Sequence, residues 1–258
     1  MPQQNAFLDT TVILSKEFGS RHIKDEIEKS LGNKKKFTTK YACMEINRTF
    51  LKDAIFLHSL LVEEMDLSVV FKRVQFHPKI SQRITNRCLD ILSQITDKGQ
   101  LRVEDSIARL ANLITGLRKA LLSDISIILS GTDCPLADEN IVHIPPIYII
   151  ETRCTRNLPE CRIVEFLEEK RDEIRKIWSS LASDESFGTL YDFLSKMIGN
   201  EKIAKGRNCQ KLGDIIICLD SPNGYTIYST NIKDFAIICK SLGKPFIGIK
   251  VPRKEKSG

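Results

Sequence analysis

Long apolar runs are absent from the sequence, and so is the pattern of a secretory leader. No apolar stretch reaches the roughly 20 residues that a membrane-spanning helix needs. The first five residues, MPQQN, place no basic residue ahead of the short apolar run that follows them, so a secretory signal is not expected. We therefore expect a cytoplasmic protein without a membrane partner.

The motifs of several large enzyme classes are also missing. The sequence has no nucleophile elbow, no P-loop, no glycine-rich dinucleotide motif and no histidine triad. Its eight cysteines include no Cys-x-x-Cys pair, and there is neither an internal repeat nor a low-complexity segment. The enzyme classes that depend on those motifs therefore have no support in this sequence.

Positive charge is concentrated in one region of the chain. The 258 residues, 42% hydrophobic and 28% charged, are enough for one sizeable core, or for one core with a large insertion. The net charge is +6, and residues 71–130 hold ten Lys and Arg against five Asp and Glu. Such a balance permits a polyanionic partner without requiring one.

Strand and helix patterns alternate at both ends of the chain. Short runs rich in apolar and β-branched residues at 6–8, 37–39, 225–228 and 246–249 predict short strands. Helical periodicity predicts helices at about 16–31, 40–64 and 232–242. We predict an α/β domain with a mainly parallel sheet, formed by residues 1–70 and 207–258. The almost wholly helical residues 71–206 are then an insertion, which is partly basic.

Four acidic residues fall where such a sheet would bring them together: Asp9, Glu45, Asp214 and Asp234. Asp9 follows the first strand, and parallel sheets build their sites at the carboxyl ends of strands. Clustered carboxylates bind hard divalent cations, which phosphodiester hydrolysis uses. Each acid also has a structural interpretation, as a helix cap or an exposed helical carboxylate. The combination, rather than any single residue, indicates a metal site.

Four motifs resemble those of PIN-domain nucleases and occur in the order that this family has. FLDTTVIL around Asp9 is similar to the family's strand running into Asp-Thr/Ser, and MEI around Glu45 is similar to its helical glutamate. GDIII around Asp214 resembles the Asp-x-x-Ile motif, and STNIKDF around Asp234 resembles the Thr-x-Asn-x-x-Asp-Phe box. The match covers about the first 65 and the last 45 residues.

The resemblance implies a three-layer α/β/α fold and a metal-dependent endoribonuclease, commonly a toxin of a toxin–antitoxin module, a defence nuclease or an RNA-processing enzyme. Its catalytic ligands for Mg²⁺ or Mn²⁺ would be Asp9, Glu45, Asp214 and Asp234. The residues that would position water, carboxylates or phosphate are Thr10, Arg48, Lys52, Ser229, Thr230 and Asn231. The expected partners are RNA and an antitoxin-like or defence-system protein. A non-cutting PIN-like scaffold and a DNA nuclease are the alternatives.

A basic stripe begins the predicted insertion. Lys79, Arg83 and Arg87 share one face of a helix with Asn86, opposite an apolar face. Such a stripe is usually a solvated surface, and the excess of positive charge in this segment favours the alternative, contact with an RNA backbone.

Four cysteines lie in loop-like sequence, namely Cys134, Cys154, Cys161 and Cys209. The other four lie inside apolar helical patterns, where cysteine behaves as a small core residue. Thiolates of the loop cysteines would suit a tetrahedral structural Zn²⁺, with His143 as a substitute ligand. Their irregular spacing leaves ordinary thiols as the other interpretation.

Overall fold

The computed structural model describes residues 5–78, 80–96, 102–138, 141–151, 154, 161–182, 184–199 and 207–250. The strands are β1 (Asn5–Leu8), β2 (Lys35–Thr39), β3 (Ile127–Leu129), β4 (Ile141–Ile144), β5 (Ile147–Ile150), β6 (Thr226–Ser229) and β7 (Phe246–Gly248). The helices are α1 (Thr10–Phe18), α2 (Arg21–Leu31), α3 (Lys40–Ile46), α4 (Lys52–Glu64), α5 (Leu67–Gln75), α6 (Gln82–Ile95), α7 (Val103–Leu122), α8 (Ile163–Glu169), α9 (Arg171–Leu181), α10 (Gly188–Ile198), α11 (Arg207–Lys211), α12 (Gly213–Asp220) and α13 (Ile232–Leu242). A π-helical turn, Asn47–Leu51, joins α3 to α4.

The chain divides into two compact units. Unit 1 takes its residues from Met1–Met44, Asp124–Ala137 and Cys154–Gly258, and unit 2 from Glu45–Ser123 and Asp138–Arg153. Among the described residues, no helix is both long enough and apolar enough to cross a membrane.

Unit 1 contains an α/β fold whose five-stranded sheet is flanked by helices, as the sequence predicts. The strand order is β3-β2-β1-β6-β7, and every neighbouring pair is parallel. The chain therefore builds outward from β1 to β2 and β3, and then returns to the other side of β1 for β6 and β7. This reversal between β1 and β6 is a topological switch point, where parallel sheets bind their ligands.

The central strands are buried, and the edge strands are short. In β1 the residues Ala6, Phe7 and Leu8 are at most 1% exposed, which is why this strand reads as an unbroken apolar run. The two edge strands, β3 and β7, have three residues each and leave Ile127 and Ile247 about two-fifths exposed. Short edge strands offer little unpaired backbone to another chain.

The helices of unit 1 follow from apolar stripes and capping residues. Helix α13 buries Phe235, Ile238 and Cys239 and ends at Gly243, whose φ of 63° is favourable only for glycine. Its observed bounds agree with the predicted 232–242. Helix α12 is apolar along nearly its whole length, and the Lys244 ammonium donates hydrogen bonds to carbonyls at its carboxyl end.

Unit 2 is helical apart from one hairpin. Helix α4 packs against α5, α6, α7 and the strand β5, which pairs antiparallel with β4. In α4, Asp53 is buried and forms an ion pair with Arg87 of α6, at 2.6 Å between Oδ2 and Nε. Burial raises the pKa of Asp53, and the charge of Arg87 and its hydrogen bond act in the opposite direction. Arg87 is therefore engaged within the unit, whereas Arg83 is exposed and Lys79 lies outside the described residues.

The domain boundaries predicted from the sequence differ from these units. Strand β3 and helices α8–α10 belong to unit 1, although they fall in the predicted insertion at 71–206. Residues 45–70, predicted to be core, belong to unit 2. Strand β3 is only Ile-Ile-Leu, too short to show strand alternation beside the long helical pattern before it, so the sequence does not reveal it.

Arg87→Ala is expected to lower the free energy of unfolding by about 3 kcal/mol, because it leaves the Asp53 carboxylate buried without its cation. Thermal or urea unfolding followed by circular dichroism measures this. Arg83→Ala, in the same helix but exposed, is the matched control and should change stability by less than about 0.5 kcal/mol. Asp53→Asn in the Arg87→Ala background should recover part of the loss. Equal stabilities for the two single variants would contradict the assigned ion pair.

Candidate functional site

The candidate site lies at the switch point of the sheet in unit 1. Asp9 is the residue directly after β1, and Ser229 is the last residue of β6. Because β1 and β6 are parallel neighbours, their carboxyl ends stand side by side. The Ser229 hydroxyl donates a hydrogen bond of 2.8 Å to Oδ2 of Asp9. A serine and an aspartate that are 220 residues apart in sequence thus form the centre of the site.

Asp9 has the structural role that the sequence leaves open for it, that of a helix cap. It is the N-cap of α1, because its Oδ2 accepts hydrogen bonds from the backbone N–H of Thr11 at 3.3 Å and from the Thr11 hydroxyl at 2.5 Å. The residue is only 2% exposed. Burial raises the pKa of Asp9, although hydrogen bonds from Thr11, Ser229 and the Thr10 N–H lower it.

The charge of Asp9 has hydroxyl and amide donors around it but no cationic partner. Within the described residues, no Lys, Arg or His forms an ion pair with this carboxylate. A buried carboxylate in proteins is ordinarily paired or coordinates a metal. Asp9 is therefore the strongest indication of a cation at this end of the sheet.

Asn231 brings the other two predicted carboxylates of unit 1 together. Its Nδ2 donates a hydrogen bond of 2.8 Å to Oδ2 of Asp214 and another of 2.8 Å to Oδ2 of Asp234. Asp214 lies in the first turn of α12 and Asp234 in the first turn of α13, where the helix dipole favours negative charge. Neither carboxylate acts as the N-cap, since those positions are Leu212 and Asn231.

Hydrogen bonds join the two halves of the site. The backbone N–H of Asn231 donates to Oγ of Ser229 at 2.9 Å, and that hydroxyl donates to Asp9. The backbone N–H of Thr230 donates to the Thr11 hydroxyl at 3.1 Å. Asp9, Asp214 and Asp234 therefore belong to one continuous network.

The buried thiol of Cys218 lies near two of these carboxylates. Its pKa is raised first by burial, then by the hydrogen bond and charge of Cys239, and also by the charges of Asp214 and Asp9. The sulfurs of Cys218 and Cys239 are 3.7 Å apart. The effect of both aspartates on one thiol places their carboxylates in the same neighbourhood.

The other predicted site residues divide between the units. Thr10 is buried in unit 1, whereas Glu45, Arg48 and Lys52 belong to unit 2. Glu45 is half-buried in α3, and its participation in the site stays a prediction. Arg48 lies in the π-helical turn, where the spacing of side chains differs from that of an α-helix.

Thr11 is the positioning residue that the sequence analysis does not identify. Its hydroxyl bonds Asp9 and accepts from Thr230, so it links β1's end to the loop after β6. The sequence signal is the Asp-x-Thr spacing, in which an aspartate side chain commonly bonds the backbone two residues on.

A pocket of about 360 Å³ opens beside Asp214 and Asp234 within unit 1. Two phenylalanines in its lining carry cations over their rings: the Lys211 Nζ lies 5.5 Å from the Phe193 ring centre, and the Lys233 Nζ lies 5.3 Å from that of Phe187. The pocket is lined by Ser186, Phe187, Thr189, Leu190, Phe193, Lys211, Asp214, Ile215, Asp234 and Ile238. The sequence does not reveal this pocket, because the residues that line it come from segments distant in sequence.

The four loop cysteines all belong to unit 1. Burial is the main cause that raises the pKa of Cys134 to about 12, and the charges of Cys161, Cys209 and Cys154 act in the same direction, so these three thiols lie within electrostatic range of Cys134. All four are partly exposed, whereas Cys43, Cys88, Cys218 and Cys239 are buried. His143, the predicted substitute ligand, belongs to unit 2, where its ring stacks on Tyr148.

As the described residues stand, no group of three or more His, Cys, Asp or Glu side chains is arranged to hold a metal ion. No protein-family model, curated protein or solved structure matches the chain. The resemblance to PIN-domain nucleases therefore stays a prediction from four sequence motifs.

Asp9→Asn is expected to raise the thermal midpoint in EDTA at pH 7 by roughly 2–4 °C. The ionised Asp9 is less favourable in the folded protein than in water, and an asparagine oxygen still accepts from Thr11 and Ser229. The advantage should shrink as the pH falls through the raised pKa of Asp9, because the wild-type carboxylate then becomes neutral. Differential scanning calorimetry at several pH values measures both effects.

The control for this prediction is Asp9→Ala, which removes the acceptor itself. It should lower the midpoint, because the buried hydroxyl of Ser229 loses its partner. If Asp9→Asn is as destabilising as Asp9→Ala, the charge of Asp9 is part of what holds the fold together.

Proposed function

We propose that this protein is a metal-dependent endoribonuclease that hydrolyses RNA phosphodiester bonds. The observation that carries the proposal is the Asp9 carboxylate, buried at the switch point without a cationic partner among the described residues and joined by hydrogen bonds to Asp214 and Asp234. Carboxylate oxygens are the ligands that Mg²⁺ and Mn²⁺ prefer. Asp9, Asp214 and Asp234 are the proposed ligands, and a role for Glu45 stays a prediction from its motif.

The surrounding groups suit such a site. Hydroxyls of Thr11 and Ser229 hold Asp9, and the amide of Asn231 holds Asp214 and Asp234. Hydrogen bonds of this kind orient carboxylate ligands toward a cation. The amide donates to one oxygen of each carboxylate, so the two carboxylates are held together.

The roles of the chain's own residues follow from these contacts. A divalent ion bound there supplies an activated water and neutralises charge on the attacked phosphate. Asp9, Asp214 and Asp234 would hold that ion, and the Asn231 amide fixes the spacing between Asp214 and Asp234. Lys211 lines the adjoining pocket, so that its ammonium is placed to attract a phosphate oxygen of the substrate.

The fold supports the family resemblance. The parallel sheet with the order β3-β2-β1-β6-β7, flanked by helices, agrees with the three-layer α/β/α architecture that the PIN-like motifs imply. Asp9, Asp214 and Asp234 are the acids of three of those four motifs, and they fall in one hydrogen-bonded network. A fold alone would not indicate an activity, so the proposal depends on this network.

The pocket beside the carboxylates supports a single-stranded RNA substrate. Unpaired bases stack on aromatic side chains, and cationic side chains near them attract the phosphates. The partly exposed ring of Phe193 and the ammonium group of Lys211 offer both kinds of contact. We propose that the base next to the scissile phosphate occupies this pocket. An antitoxin-like or defence-system partner stays a prediction from the family resemblance.

Asp9→Asn and Asp214→Asn are expected to reduce Mn²⁺-dependent RNA cleavage at least 100-fold with the fold intact, because each removes a negative charge that binds the ion. Cleavage of a fluorescent single-stranded RNA, with EDTA as the blank, measures the rate. Mn²⁺ should also raise the thermal midpoint of the wild type and not that of Asp9→Asn. Asp172→Asn, an exposed aspartate of α9, is the matched control.

The same assay separates the alternatives. Cleavage of single-stranded DNA at the rate of RNA would make the protein a general nuclease. RNA binding without cleavage in Mn²⁺ would make it a binding scaffold. Cleavage at the wild-type rate in both Asp9→Asn and Asp214→Asn would contradict the assignment of the carboxylates as the catalytic site.

Phe193→Ala is expected to lower kcat/KM for single-stranded RNA roughly tenfold, since stacking on one aromatic ring contributes about 1–3 kcal/mol. Lys211→Ala should raise KM and flatten its salt dependence. An RNA with an abasic nucleotide beside the scissile phosphate gives the decisive comparison. If the pocket holds that base, Phe193→Ala will have little further effect on the abasic substrate.

The matched control for Lys211→Ala is Lys240→Ala, an exposed lysine of α13 outside the pocket lining. It removes the same charge and should leave KM nearly unchanged. If KM depends on salt concentration equally in the two lysine variants, the pocket does not bind the substrate. That outcome would not bear on the proposed metal site.

A further inference from the structure

Four cysteines from separate segments of unit 1 converge although the sequence holds them far apart. Cys134 follows β3, Cys154 and Cys161 precede α8, and Cys209 lies in α11. The thiols of the last three all act electrostatically on that of Cys134. Partly exposed cysteines within electrostatic range of one another differ from the solitary buried cysteines of an apolar core.

Hydrogen bonds fasten two of these segments to their neighbours. The backbone N–H of Arg162, next to Cys161, donates to the carbonyl of Thr132 at 3.0 Å, which ties that segment to the loop before Cys134. The Tyr41 hydroxyl donates to the carbonyl of Cys209 at 2.7 Å. Both backbone positions are thereby fixed by contacts that do not involve the thiols.

The loop that carries Cys134 is held on both sides. Asp133 lies 3.9 Å from the ammonium of Lys40, the residue before Tyr41, so the Cys134 loop and the Cys209 segment contact adjacent residues of the chain. On the other side the N–H of Gly131 donates to the partly buried carboxylate of Asp220. A methyl group at position 131 would collide with that carboxylate, so glycine is required for the close approach.

The turn after Cys134 resembles a ligand turn in its hydrogen bonding. The backbone N–H of Leu136 donates to the Cys134 sulfur, and the carbonyl of Cys134 accepts from the N–H of Ala137 at 3.0 Å. An N–H donor stabilises negative charge on a sulfur, and such bonds orient metal-binding thiolates.

We propose that Cys134, Cys154, Cys161 and Cys209 bind one structural zinc ion. Thiolates select zinc over Mg²⁺, and four of them make a closed tetrahedral site with Zn–S distances of about 2.3 Å. The protonated thiols are not arranged to hold an ion as they stand. Binding therefore releases protons and draws the sulfurs inward from their present positions.

The zinc site has a definite consequence for the carboxylate site. Cys209 lies in α11, which leads directly into α12 and Asp214. A zinc ion that joins Cys209 to the loop after β3 would fix the beginning of α12 relative to the sheet. The ion would be structural, and its presence does not depend on whether the carboxylates bind Mg²⁺ or Mn²⁺.

The test is elemental analysis of the full chain, expressed without a metal-affinity tag and purified without chelators. About one zinc per chain is expected in the wild type, and Cys154→Ser, Cys161→Ser and Cys209→Ser should each lose it together with several degrees of thermal midpoint. Cys43→Ala, which removes a buried thiol outside the cluster, is the matched control and should keep the zinc. Asp9→Asn should also keep it, which separates this site from the nuclease proposal.

A second measurement covers the case in which the serine variants do not fold. Wild-type protein refolded with Co²⁺ should show the intense thiolate-to-metal absorption of a tetrahedral site, and a mercurial reagent should release zinc from the native wild type in step with thiol modification. Wild-type protein without zinc and without that absorption overturns the proposal. Zinc retained in Cys154→Ser and Cys209→Ser overturns it as well.

Discussion

The parallel pairing of β1 with β6 determines where the polar groups of unit 1 stand. Leu8 lies opposite Tyr228, and the ladder continues one step further through the hydrogen bond from the N–H of Asp9 to the Tyr228 carbonyl. This register sets the Asp9 side chain beside the Ser229 hydroxyl. A shift of either strand by one residue would place the two side chains on opposite faces of the sheet. The hydrogen bonds that reach Asp214 and Asp234 begin from this pair.

The same strands supply the stability that a buried carboxylate requires. Phe7, Leu8 and Ile227 are almost wholly inaccessible to water, and burial of each contributes roughly 1.5–3 kcal/mol. Placing the ionised Asp9 beside them opposes folding, because water solvates a carboxylate better than two hydroxyls and a few N–H groups do. Unit 1 thus keeps a locally unfavourable group at the position where a sheet of this topology binds its ligand, and such conflicts are typical of functional sites.

The parts of the structure that sequence could predict are those in which local pattern and tertiary position agree. The apolar run before Asp9 and the periodicity that ends at Gly243 are local signals, so β1 and α13 lie where they are predicted. Strand β3 could not be recognised, because three apolar residues fit a helix or a strand equally well until their neighbour β2 is known. Thr11 and Phe193 act through contacts with residues almost the length of the chain away, or across an unpredicted pocket, and no spacing rule reports such contacts. The loop cysteines could be predicted only in part. Their polar surroundings in the sequence distinguish them from core thiols, but only the fold places them in the same neighbourhood.

The division of unit 1 into three stretches of chain has a consequence for its synthesis. Asp9 is synthesised 220 residues before Ser229, and all of unit 2 is made between them. Closing so long a loop is slow, and until it closes β1 lacks its neighbour β6 and Asp9 lacks the Ser229 hydroxyl. The hydrogen-bonded network of Asp9, Asp214 and Asp234 therefore cannot assemble on a nascent chain before Ser229 and Asp234 have been synthesised.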